Sequence, residues 1–538
     1  MGRGRDRERI RGFPRVTRGA LAATEQQIAA YLVRSGVLGE LAGDEAKSAV
    51  DAARRHAEEL MIARLQQLSS AGVADLVASH EAMMDRRPPA SSGIFVDSDA
   101  ALAAPKALES MALRWLIEEA ARLLPAGPKS LTRDQLSRLL ALGTCIINYW
   151  GVSDLAWKGL EPARASVTDS RFVVYGGAHM ALTNQRLTHA GGQVSLDALR
   201  AAEMQLTTEI AADEYDAVLD AMKSAWGFDL VTIGALSRAF SGSNAATVRV
   251  AAPAEVANLI HRAGAPRDEA VAMVRRLTLG ATPVSTSSQN APHRAGRAGA
   301  YARSMFVPLS NGGLAWSPDH VRHAGGVLVY DLICGMLKDT AQLESATDAV
   351  SKRLAYEFNQ RLARAVRQLG GWTVLTNAKS LAGYPVANQG RTLGDLDVLA
   401  IHKSRAIAVA LDAKRVIPAS GPYEIWRENE KLRRHVAKHQ ARCQWLAAHT
   451  EALAREAGRD DSRDWLVRGA IVTTTPLVLA GAETDVPVVP WWDILGWLTS
   501  PDDIVRGHIA PLVPVESIAW PALGTSKFSL PPAERQAP

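Results

Sequence analysis

Residues 394–414 read Gly394-Asp395-Leu396-Asp397-Val398-Leu399-Ala400-Ile401-His402-Lys403-Ser404-Arg405-Ala406-Ile407-Ala408-Val409-Ala410-Leu411-Asp412-Ala413-Lys414. Two short apolar runs, each bounded by charge, flank the polar turn His402 to Arg405. Runs of this length and composition are strands, and the turn makes them a hairpin. A tight turn places Ile401 opposite Ala406, Asp397 opposite Ala410 and Asp395 opposite Asp412. Strand side chains alternate with period two, so Asp395, Asp397, Asp412 and Lys414 emerge on one face. Three carboxylates crowded there repel one another, and like charges directly opposite destabilise a sheet. A divalent cation bound by hard oxygen ligands offsets that repulsion, and Lys414 adds a further positive charge. A one-residue change of register sends the two pairs to opposite faces.

An acid two residues before a lysine is common, and Glu45-Ala46-Lys47 has the same spacing. That copy lies in a polar, helical stretch and is a surface charge pair. Asp412-Ala413-Lys414 instead ends an apolar run that reads as an interior strand, where unpaired charge is expensive.

Working outward, residues 343–369 predict an amphipathic helix. Leu343, Val350, Leu354, Phe358, Leu362, Val366 and Leu369 share one stripe, and Gly370-Gly371 end it. A strand follows at 372–376. Beyond the hairpin come a helix at 424–450, a strand at 466–472, a short strand at 486–490 and a helix at 492–498.

This order of elements and acids resembles the restriction endonuclease-like, or PD-(D/E)xK, nuclease superfamily, over about residues 345–500. Asp397 matches the Asp of the second motif, with Leu396 where the pattern has Pro. Asp412 and Lys414 match the (D/E)-x-K motif, and Glu357 on the preceding helix matches the first acid. The resemblance implies an α/β domain with a mixed central sheet flanked by helices. It implies Mg²⁺ or Mn²⁺ held by Asp397, Asp412, the carbonyl of Ala413 and Glu357. Asp397, Asp412, Lys414 and Glu357 form the catalytic set it implies, for phosphodiester hydrolysis in DNA. RNA is the alternative substrate. A non-catalytic nucleic-acid-binding or assembly protein on a nuclease-like fold is the rival reading.

Arg427, Lys431, Arg434, Lys438 and Arg442 share one stripe of the 424–446 helix. A basic stripe beside an acidic metal site suits a nucleic-acid backbone; a solvated helix face is the plainer reading. Lys438 and Gln440 stand where some members of the superfamily carry an auxiliary catalytic residue. His435 and His439 have the spacing of a helical metal pair, but with no third ligand a structural or solvent role is expected.

The rest of the chain is mainly helical and bears no recognisable chemistry. Residues 20–282 predict a helical region, 283–303 a flexible connection and 304–342 a hairpin followed by a helix. The hairpin expectation rests on Asn311-Gly312 between apolar runs. Residues 343–500 are the nuclease-like domain and 501–538 a tail. There is no GxxxxGK[ST] loop, HExxH helix or G-x-S-x-G elbow.

The net charge of +5 invites a nucleic-acid reading, but residues 1–19 carry it as a basic disordered leader. Seven Arg stand there against Asp6 and Glu8, and the remaining chain is neutral. Cys145, Cys334 and Cys443 are far apart and form no CxxC pair, which excludes a zinc ribbon and fits a reducing cytoplasm. No run approaches a membrane span. A nuclease joined to a large non-enzymatic region is the layout of restriction and anti-phage defence proteins. By that analogy alone a second copy of the chain or a defence-system partner protein is expected.

Overall fold

A computed structural model describes residues 16–85, 97–159, 162–175, 212–240, 248–280, 301–333, 335, 337, 339–388, 390–415, 422–459, 464–474, 486–499 and 504. The leader up to residue 15, most of the 283–303 connection and nearly all of the 501–538 tail lie outside the described residues.

The first core is helical. It joins α1 (Arg18–Arg34), α2 (Gly43–Leu65), α3 (Ser70–Asp85), α4 (Asp97–Leu123) and α5 (Arg133–Trp157). An antiparallel sheet of β1 (Gly39–Ala42), β2 (Arg164–Val167) and β3 (Phe172–Tyr175) leans on it. Of the three strands, only β3 stands out in sequence. α5 begins with a reciprocal cap: Thr132 Oγ1 accepts from Gln135 N at 3.2 Å, and Gln135 Oε1 accepts from Thr132 N at 2.9 Å. Among the described residues, α5 is the helix long and apolar enough to cross a membrane, yet 78% of that window is buried inside the protein. Its apolarity is that of a core helix surrounded by others.

The second core packs α6 (Ala212–Trp226), α7 (Leu230–Phe240), α8 (Pro253–Arg262), α9 (Arg267–Arg276) and α10 (Pro318–Ile333). The Asn311-Gly312 hairpin forms as β5 (Val307–Pro308) and β6 (Leu314–Trp316), with β4 (Arg249–Ala251) on the other edge of β6. Ser317 caps α10, its Oγ accepting from His320 N at 3.2 Å.

α11 (Ala341–Gln368) serves two cores. Leu343, Val350 and Leu354 belong to the second core, whereas Leu362, Ala363 and Val366 pack on the sheet of the third. One continuous helix of 28 residues thus runs from one core into the other.

The third core surrounds a five-stranded mixed sheet in the order β15-β14-β13-β12-β7. Its strands are β7 (Trp372–Ala378), β12 (Leu396–His402), β13 (Ile407–Lys414), β14 (Leu466–Thr473) and β15 (Val488–Pro490); between β7 and β12 lie the two-residue strands β8 (Ser380–Leu381), β9 (Tyr384–Pro385), β10 (Ala387–Asn388) and β11 (Arg391–Thr392). β7, β12 and β13 run antiparallel; β14 and β15 join in parallel. The parallel step from β13 to β14 is spanned by α12 (Pro422–Ala448) and α13 (Thr450–Glu456). α14 (Trp491–Leu498) follows β15.

The hairpin register differs from the expected one by two residues. His402 faces Ile407 and Val398 faces Leu411, because Ala406 (φ 50°) takes a left-handed conformation and joins the turn. A shift of two preserves which face each side chain occupies. Asp397 therefore comes opposite Asp412, where Asp395 was expected.

Gly469 of β14 lets α12 lie close. A Cβ there would fall 2.4 Å from Cys443 Sγ and 2.9 Å from His439 Nε2. Gly469→Ala is expected to cost about 1–3 kcal/mol through overpacking, seen as a lowered unfolding midpoint in urea.

Candidate functional site

Every residue of β13 from Ile407 to Ala413 is buried, so the two faces of the hairpin can be separated by what each touches. Val398, Ala400, Val409, Leu411 and Ala413 meet α11 and α14. Leu399, Ile401, Ala408 and Ala410 meet Trp445 and Leu446 of α12. Asp397, Asp412 and Lys414 alternate onto the second face, beneath α12.

Lys414 Nζ lies 2.9 Å from Asp412 Oδ1, 3.3 Å from Asp397 Oδ2 and 3.4 Å from the carbonyl oxygen of Ala413. Three hard oxygens thus converge on one cationic nitrogen. Asp397 Oδ2 also accepts from Ala413 N at 3.0 Å, which holds it across the hairpin. Asp412 is 1% exposed and receives a second cation from α12, Arg442 Nη1 at 2.7 Å. Arg442 Nε donates to the carbonyl of Leu393 at 2.9 Å and so ties the start of β12 to the same helix.

These surroundings separate the two carboxyls. Burial, reinforced by the charge of Asp412 against Lys414's opposing pull, raises Asp397 to about 6. Burial also works against ionised Asp412, but Lys414 and Arg442 prevail and hold it below the ordinary carboxylate value, with His439 adding to this only when protonated. At neutral pH both are anions beside two cations.

Glu357 does not join them. α11 covers the opposite face of the sheet, and the Glu357 carboxylate lies 3.4 Å from Arg353 Nη2. Among the described residues no group of three or more His, Cys, Asp or Glu is arranged to hold a metal. The oxygen set is therefore two carboxylates and one carbonyl. Carboxylate and carbonyl oxygens are the ligand types that hard divalent cations take, and here the Lys414 ammonium sits among them.

The basic stripe divides. Lys431, Arg434 and Lys438 are exposed, and the Arg427 side chain lies outside the described residues. Arg442 departs from the expected surface stripe: at 5% exposure it turns to the sheet as the partner of Asp412 instead of standing on the exposed helix face. Charge accounting could have found it, because a buried Asp between two strands needs more than one lysine. His439 is buried, its Nε2 3.1 Å from the carbonyl of Ala410, and burial lowers its pKa to about 4. It is a neutral donor to β13 and not half of a metal pair.

No protein-family model, no curated protein and no solved structure matches this chain.

Proposed function

We propose that this chain is a metal-dependent nuclease with a restriction endonuclease-like C-terminal unit, acting on DNA in the cytoplasm. The observation that carries the reading is the oxygen cage of Asp397, Asp412 and Ala413 around Lys414 Nζ, at the end of a buried hairpin. The antiparallel β7-β12-β13 meander, extended in parallel by β14 and β15, supports the same fold family. Restriction or anti-phage defence is the setting we propose, on the layout of the chain alone.

Asp397, Asp412 and the Ala413 carbonyl would hold Mg²⁺ or Mn²⁺, which supplies Lewis acidity to a phosphodiester and to water. Arg442 keeps Asp412 ionised and aimed. Asp397 becomes an anion only as pH rises through about 6. Lys414, released from the carboxylates, is placed to donate to a phosphoryl oxygen as charge develops there.

In a Mg²⁺-dependent assay on plasmid, linear duplex and RNA, wild type cuts. Asp412→Ala and Lys414→Ala are expected to lose at least about 100-fold in rate. Cleavage by both at the wild-type rate would refute the site. Wild-type cleavage is expected to fall as pH drops below about 6, where Asp397 takes up a proton.

One observation favours the rival of a non-catalytic platform: Lys414 and Arg442 already neutralise a pair that lacks a third carboxylate. Mn²⁺ separates the two. A ligand bound only by the folded state raises the melting temperature, whereas a platform gains nothing.

A further inference from the structure

The guanidinium of Arg442 is only partly used. Nε and Nη1 are committed to Leu393 O and Asp412 Oδ1, which leaves Nη2 on the side of Gly394. Lys438, one helical turn earlier on α12, brings Nζ to the same place. A Cβ built on Gly394 would lie 2.9 Å from Arg442 Nη2 and 2.9 Å from Lys438 Nζ, so the two cationic nitrogens lie side by side against the Gly394 backbone. Lys438 makes no hydrogen bond or ion pair among the described residues, and the Asp412 carboxylate lies on the other edge of the guanidinium. Gly394 has φ +81°, a conformation that disfavours any side chain, and its missing Cβ lets both side-chain ends approach its backbone.

Two like charges held side by side repel each other, and an anion that bonds to both relieves the repulsion. A phosphate suits such a pair: its oxygens radiate tetrahedrally and accept charge-assisted bonds from a lysine and from one arm of an arginine at once. We propose that Gly394, Lys438 and Arg442 form a phosphate-binding subsite for the nucleic-acid backbone beside the carboxylate pair. The assignment of a nucleic acid rests on the nuclease reading; the anion subsite itself rests on this geometry. Arg442 then links two tasks, holding Asp412 with one nitrogen and the substrate backbone with another.

The test is fluorescence-anisotropy binding of a labelled DNA duplex in EDTA across a salt series, with inorganic phosphate as competitor. Lys438→Gln changes an exposed side chain, and its melting temperature verifies the fold. It is expected to weaken duplex binding about tenfold and to flatten the salt dependence by about one phosphate contact. Lys438→Arg is expected to restore both, and Gly394→Ala to weaken binding as Lys438→Gln does. Inorganic phosphate should compete better with wild type than with Lys438→Gln. Wild-type affinity and salt slope in Lys438→Gln overturn the subsite. If Lys438→Gln alters phosphate binding but not duplex binding, the site takes a free anion and the backbone assignment falls. Because no divalent metal is present, the outcome is independent of cleavage: Lys438-dependent binding without Mg²⁺-dependent cutting retains the subsite and rejects the nuclease.

Discussion

Asp412→Asn is expected to destabilise the protein by about 3–5 kcal/mol while abolishing cleavage, and Asp397→Asn to abolish cleavage while stabilising the metal-free fold. The two residues lie opposite each other on one hairpin, yet their electrostatic surroundings have opposite signs. Asp412 is nearly inaccessible and answers both Lys414 and Arg442. Neutralising it leaves two cations, one of them 5% exposed, without their shared anion. Asp397 is held as an anion against burial and against Asp412, with its pKa raised to about 6. A carboxyl whose folded pKa exceeds its unfolded value of about 3.9 adds stability at low pH. That contribution is lost as pH rises from about 4 to about 6, and at pH 7 the ionised group costs about 3 kcal/mol. Asn removes the charge and keeps an oxygen for the Ala413 N–H. Urea titrations at pH 7 in EDTA measure both variants. Equal destabilisation by the two would contradict the separation of their surroundings.

Acid is expected to weaken the fold between pH 6.5 and 4 through two buried histidines. His320 stacks on Tyr301 with ring centroids 3.8 Å apart, and its Nε2 lies 2.7 Å from the carbonyl of Ser304. Burial, together with the charge of Arg114, lowers its pKa to about 4. His439 is lowered to about 4, chiefly by burial. The unfolded chain protonates these rings near pH 6.5, before the folded protein does, so stability is full above that pH. It falls as pH drops, by up to about 3 kcal/mol for each histidine. His320→Gln is expected to lower stability at pH 7, since the stacking is lost, and to flatten the decline toward pH 4. Melting temperatures at a series of pH values measure this; an unchanged slope in the variant would sink the assignment to His320.

The hairpin was legible because period two and a run of apolar residues need no tertiary information. Its register was not, since whether Ala406 belongs to the turn or the strand depends on a backbone angle that alanine seldom adopts. The shift of two residues leaves the face intact, so Asp397, Asp412 and Lys414 meet as expected, whereas Asp395 lies before the start of β12 and no third carboxylate joins the pair among the described residues. The stripe on α12 was legible as a stripe. Helical periodicity orders side chains around an axis, but it does not say which sector meets the sheet. Arg442 therefore read as surface while the fold buries it. Glu357 shows the same limit: its spacing on α11 suited the first acid of the nuclease pattern, yet that helix covers the face opposite the carboxylates.

By itself the sequence determined the strand pair, the shared face of Asp397, Asp412 and Lys414, and the location of net charge in the leader. These follow from local periodicity and composition. Only the tertiary structure decided that α11 joins two cores, that Arg442 completes the charge balance of Asp412, and that Lys438 meets it over Gly394. Those facts depend on which elements stack across the sheet, and packing between residues far apart in the chain leaves no periodic trace along it.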